Sequence, residues 1–146
     1  MRSLAIWSLL FAVVVAITAS ARDESIDELK SRAQNAQPQD RPRLYMEIAE
    51  SQLHNADRLY KNGDVELARA AVEDIVTASE KARDSATETK KHIKNVEIAV
   101  RKIAQRLRDM KRNLSIEDQP TVEHAVQRLE DVRTTLLKQM FSKDKK

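Results

Sequence analysis

The sequence predicts an all-α protein, an elongated antiparallel helical bundle with coiled-coil-like packing. Three observations carry this. The chain of 146 residues holds one Gly and three Pro, so it is poor in turn-formers. Charged residues make up 34% of it and aromatics only 3%, the profile of long solvated helices with narrow aliphatic seams. Uncharged residues recur at alternating spacings of three and four over long stretches.

The first segment reads as an address. Met1–Arg2–Ser3 gives a short positive start, Leu4 to Ile17 is apolar except for Ser8, and Ala19 and Ala21 fit the small-residue rule for cleavage. The expectation is a secretory signal peptide over 1–21, cut after Ala21. The run is short for a span, which wants about 20 apolar residues. Retention as a signal anchor is the alternative. In both cases the rest of the chain lies outside the cytoplasm, in the periplasm or extracellular space. The domain then covers 22–146 as a single helical unit with a basic tail over 142–146. Loss of Arg2 takes Lys+Arg from 26 to 25 against 23 acids, a formal charge of +2.

Within that domain the elements follow in order. Ser25–Ile26–Asp27–Glu28 is a capping box, in which hydroxyl and carboxylate satisfy free backbone amides. Ile26, Leu29, Ala33 and Ala36 then give a short helix over about 25–36. Gln37 to Pro42 connects, with Asp40 as N-cap and Pro42 in a first turn where its missing N–H costs little. A second helix, about 41–62, carries Tyr45, Ile48, Leu53, Ala56 and Leu59 on one face. Gly63 suits a left-handed terminus and Asp64 the next N-cap.

From Val65 the three-four alternation runs without interruption through Ala68, Val72, Ile75, Ser79, Ala82, Ala86, Thr89, Ile93, Val96, Val100, Ile103, Leu107, Met110 and Leu114. No Gly or Pro interrupts it. This predicts one continuous helix over about 65–114, roughly 75 Å long. The second helix would cover its N-terminal half. A last helix, about 119–141, with Val122, Ala125, Leu129, Val132, Leu136 and Met140 would cover its C-terminal half. The small residues Ser79 to Thr89 would form a waist where the two partners meet. A break near Asp84–Thr89, giving two shorter helices, is the alternative. The small flanking residues Ala71, Ala78, Ser85, His92 and Ala99 suit a face shared by two helices.

Charge reverses along this stretch. Asp64 to Thr89 holds seven acids against three bases, and Lys90 to Arg112 nine bases against two acids. On one continuous helix this complements the dipole. The acidic start of the last helix (Glu117, Asp118, Glu123, Glu130, Asp131) is expected to neutralise Arg101–Arg112. What stays uncompensated is a basic waist of Arg41, Arg43, Lys90, Lys91, Lys94, Lys138, Lys143, Lys145 and Lys146. It suits an anionic partner in the cell envelope, such as phospholipid head groups, anionic polysaccharide or an acidic protein.

Catalytic signatures are lacking. One Gly excludes Gly-rich phosphate loops, and zero Cys excludes thiol nucleophiles and thiolate metal sites. His54, His92 and His124 form no pair at helical spacing, and no Glu-x-x-His is present. No cofactor, metal site or catalytic residue is expected. Nucleic acid is not expected as a partner either, since no aromatic platform lies among the bases.

Leu59–Tyr60–Lys61–Asn62–Gly63–Asp64, followed by Ala68, resembles the turn between the two helices of a tetratricopeptide repeat. It occurs once, with no second copy at a 34-residue period, and marks a helical hairpin. As a class, an exported basic helical chain is similar to periplasmic holdase chaperones, with no motif shared. The sequence thus leads to an exported, non-catalytic binding or scaffold protein. It presents helix faces to a protein partner or to itself, Leu67 and Ile98 widening that surface; a basic patch for an anionic envelope surface is the alternative.

Overall fold

The computed structural model describes residues 24–142 and contains five helices: α1 (Ile26–Asn35), α2 (Arg41–Asn62), α3 (Val65–Thr89), α4 (Ile93–Lys111) and α5 (Gln119–Phe141). The predicted signal segment, and Lys143, Lys145 and Lys146, lie outside the described residues. No strand occurs among the described residues, and the helices pack on one another as a bundle. Among them no helix is long and apolar enough to cross a membrane.

Local signals operate where the sequence places them. The Ser25 hydroxyl accepts a hydrogen bond from the Glu28 amide and opens α1. Asp40 precedes α2 and Pro42 sits in its first turn, but the Asp40 side chain makes no capping bond; its carbonyl accepts from the Leu44 amide instead. Gly63 ends α2 at φ 81°. The Gly63 amide donates to Tyr60 O and the Asp64 amide to Leu59 O, the closure that a left-handed residue makes possible.

The continuous helix expected over 65–114 is not formed. Lys90 and His92 both adopt left-handed backbone, at φ 57° and 63°, and the chain turns back on itself between α3 and α4. The break falls at 90–92, just beyond the alternative position near Asp84–Thr89. Ion pairs fix the directions that result. Arg69 and Arg128 of α3 and α5 meet Asp118 and Glu80, so those helices run parallel. Arg133 meets Glu97 and Lys111 meets Glu123, so α4 runs antiparallel to α5. Around the bundle the order is α2, α3, α5, α4, with α4 closing against α2 and α1 lying on α2. The expected waist does not exist, and neither does the rod about 75 Å long; the longest helix, 25 residues, spans about 38 Å.

Burial explains why folding back wins. A rod with one partner per half buries a single seam, whereas here each long helix faces two neighbours. Helix α3 buries Ala71, Val76 and Ala78 beside its seam, α4 adds Ala104, and α5 adds Val126. Burying one Val side chain stabilises by about 1.5–3 kcal/mol. A left-handed non-glycine residue costs about 1–2 kcal/mol, so these flanks outweigh the strained link. Leu53, Ile75, Ile103, Leu107, Leu129 and Leu136 fill the centre. Ser79, fully buried, donates its hydroxyl to Ile75 O of its own helix, and the small Ala82 and Ala86 pack beside it.

Candidate anionic-partner surface

Helices α2 and α4 begin, and α3 and α5 finish, at the same end of the bundle. This end collects six of the residues singled out from sequence. Arg41 and Arg43 lie in the first turn of α2, Lys90 and Lys91 in the link, Lys94 in the first turn of α4 and Lys138 in the last turn of α5. Their states differ. Arg41 donates from Nε to Ala36 O at 3.2 Å, and Arg43 pairs with Glu47. Lys90, Lys91, Lys94 and Lys138 are exposed and form no ion pair with a described residue. Asp40 and Glu88 lie at this end too, so the cluster is strongly but not purely basic.

The break in the helix inverts the electrostatic expectation. On one rod the acids and bases would have complemented a single dipole. As two helices, α3 ends on Glu88 with no base in its last turn, and α4 begins on Lys94 with no acid in its first. Each helix therefore carries the sign its own dipole disfavours at the link. The helix dipole no longer accounts for the lysines there.

The basic surface continues down α4 through residues that the sequence reading assigned to α5 acids. That neutralisation is only partial. Arg108 pairs with Glu130 at 2.8 Å, and Lys111 pairs with Glu123. The Lys111 ammonium holds the Glu123 carboxyl below the usual carboxylate range, by hydrogen bond and by charge. Burial pushes Glu130 upward, but hydrogen bonds and charge from Arg108 and Arg133 more than offset this and lower it. Arg101, Lys102 and Arg106, in contrast, face solvent and form no ion pair with a described residue. At about 100° per residue, Lys94, Arg101, Lys102 and Arg106 spread over about 140° of the exposed side of α4; Arg108 lies at the edge of that arc, about 20° from Arg101, and Lys111 turns farthest toward α5. Asp109 is the one acid on that exposed side, held by Gln105 and Arg112.

Elsewhere the bases are occupied. Lys30 meets Asp74 at 3.2 Å, Arg128 reaches Glu80 and Glu73 at 3.0 and 2.5 Å, and Arg133 covers the buried Glu97 at 3.0 Å. Arg32, Lys61, Arg69 and Arg83 are also paired, Lys81 lies 5.8 Å from the Tyr45 ring centre, and the exposed Arg58, which has no counter-charge among the described residues, donates to Asn55 Oδ1 at 2.7 Å. The bases left without such contacts among the described residues therefore concentrate in the α3–α4 link and on α4, with Lys138 beside them.

Other chemistry is sparse. Among the described residues no group of three or more His, Asp or Glu is arranged to hold a metal. A shallow open groove of about 260 Å³ between α2 and α4 is lined by Leu53, Asp57, Arg106, Asp109, Met110 and Asn113. Among the described residues the exposed large apolar side chains are Leu67, Ile116 and Phe141, spread over the start of α3, the α4–α5 connection and the end of α5. Ile98, expected to be exposed, is half-buried.

The described chain is thus a helical bundle with one basic end and one basic helix face. Comparison with protein-family models, with curated proteins and with solved structures finds no match to it.

Proposed function

We propose that the chain is an exported, non-catalytic binding module that engages an anionic partner of the cell envelope through the basic end and the exposed face of α4. One observation supports it above the rest: the bases that lack a counter-charge gather on this end and face, although the bundle pairs most of the others. A charged face kept for solubility alone has no reason to concentrate its unpaired bases at a helix start, where the dipole opposes them. Like-charged neighbours four apart on α4, Lys102–Arg106, add a few tenths of a kcal/mol of local cost. A protein partner carrying acidic groups would satisfy the same surface. Capture through an apolar face, as a holdase would use, has less support, because the exposed apolar residues lie on separate elements.

Export rests on the sequence of residues 1–21. The test has two parts. Mass analysis of the delivered protein should find Arg22 at its start. Co-sedimentation with envelope fractions, with anionic vesicles and with immobilised heparin should show binding at low salt that moderate salt dissolves. Equal recovery on neutral vesicles, or binding indifferent to salt, would overturn the anionic reading.

A further inference from the structure

Three observations converge on the link at Lys90–His92. The first is backbone strain. Lys90 and His92 are the only non-glycine residues with positive φ among the described residues. The α2–α3 turn has Gly63 at its left-handed position, and the α4–α5 connection has seven residues, 112–118, over which to reverse. The link between α3 and α4 has three residues and no glycine.

The second is phase. If the helical screw is continued straight from α3 through 90–92 into α4, the buried faces of both helices coincide. Ala68, Val72, Ile75, Ser79, Ala82 and Ala86 fall on one side of the wheel, and Ile93, Val96, Val100, Ala104 and Leu107 fall on the same side. Two helices joined by a reversing link need no such agreement, since each is free to present its face at its own angle. The third is charge. The acids at the end of α3 and the bases at the start of α4 oppose the dipoles of two separate helices. They suit a single helix, acidic toward its N-terminus and basic toward its C-terminus.

We propose that Lys90–His92 is a hinge and that the partner it serves is a second copy of this chain. Opening straightens α3 and α4 into one helix over 65–111, 47 residues and about 70 Å long. The α2–α3 hairpin of each copy then packs on the α4–α5 hairpin of the other. Contacts within the two hairpins stay within one chain, including Arg133–Glu97 and Arg108–Glu130. Contacts of α3 with α5 and of α2 with α4 re-form between chains, including Arg69–Asp118 and Arg128–Glu80. The exchange preserves the packed interfaces of the closed bundle and removes the left-handed residues. Short strained links are where such swapping is least costly. This inference is independent of the anionic partner.

The test is the association state of the full chain, unfolded and refolded over about a hundredfold range of concentration and sized by light scattering. The expected result is a dimer whose share grows with concentration. Lys90 and His92 are exposed, so substitution there disturbs no packed residue. Lys90→Gly with His92→Gly relieves the closed link and penalises the straight helix. Since a dimer has two links, its association constant should fall at least about a hundredfold. Lys90→Val with His92→Val, β-branched at left-handed positions, should raise it. A charge exchange reads the topology. A copy with Arg128→Glu, refolded with a copy carrying Glu73→Arg and Glu80→Arg, should form the mixed dimer in preference to either like dimer. A monomer at every concentration, a dimer that ignores the link substitutions, or no preference for the mixed dimer would each overturn the proposal. If the Arg128→Glu copy does not fold, the link variants decide.

Discussion

The pair Glu97–Arg133 offers the sharpest test of how the bundle is held. The Glu97 side chain is 7% exposed and that of Arg133 22%, with Arg133 Nε and Nη2 on one Glu97 oxygen at 3.1 and 3.0 Å. Arg133→Met removes the cation and leaves a buried carboxylate facing apolar packing. Removing one partner of a fully buried pair costs about 3–5 kcal/mol. Because Arg133 retains some access to water, about 2–4 kcal/mol is expected here. With a urea dependence of about 1–3 kcal/mol per M, the midpoint should fall by roughly 1–4 M, read by the helical circular-dichroism signal. Glu97→Met in the same chain should recover most of the loss, because no charge is then left unpaired. A single variant that loses under about 0.5 kcal/mol, or a double variant as unstable as the single, would refute the reasoning.

Other outcomes follow from the same geometry. Leu107→Ala, in the last third of α4 and fully buried, should cost about 2–5 kcal/mol in the same denaturation experiment. Gly63→Ala meets open space but keeps a backbone at φ 81°, so about 1–2 kcal/mol should be lost through strain alone. Glu123 and Glu130 are held below the usual carboxylate range in the folded state. The unfolded chain therefore binds more protons below about pH 4.5, and stability should fall as pH drops through that region. Thermal melts between pH 6 and 3 should show this fall, and Glu123→Gln with Glu130→Gln should flatten it.

Much of the architecture is legible before the structure. Ser25, Pro42 and Gly63 place three helix boundaries to within a residue or so, because caps, proline and glycine act locally. Of the five small flanking residues read as a face shared by two helices, Ala71 and Ala78 are buried, Ser85 and Ala99 half-buried, and His92 exposed in the link. The break at Lys90–His92 is not legible, for a physical reason. A three-four repeat carried in phase through 90–92 is the pattern of a straight helix, and no glycine or proline marks the turn. What decides is the second neighbour that each helix gains on folding back, a tertiary effect absent from the local pattern. The gathering of Lys90, Lys91 and Lys94 with Arg41, Arg43 and Lys138 is legible, although it comes about at the end of a bundle and not at the waist of a rod. Arg101, Lys102 and Arg106 are missed because counting acids along α5 does not say which bases they reach; Glu130 meets Arg108 and Glu123 meets Lys111.

The unpaired bases form either a recognition surface or a solvated face. Retention of the full chain on immobilised heparin at low salt, compared between two variants of equal charge, separates these most directly. One carries Arg101→Gln, Lys102→Gln and Arg106→Gln on α4. The other carries Arg58→Gln, Lys61→Gln and Arg83→Gln on α2 and α3, exposed or half-buried positions whose contacts are worth little. The α4 variant should fold as the parent does and elute at much lower salt, and the control variant should elute near the parent. Equal elution of the two variants would reduce the surface to its net charge and contradict the account.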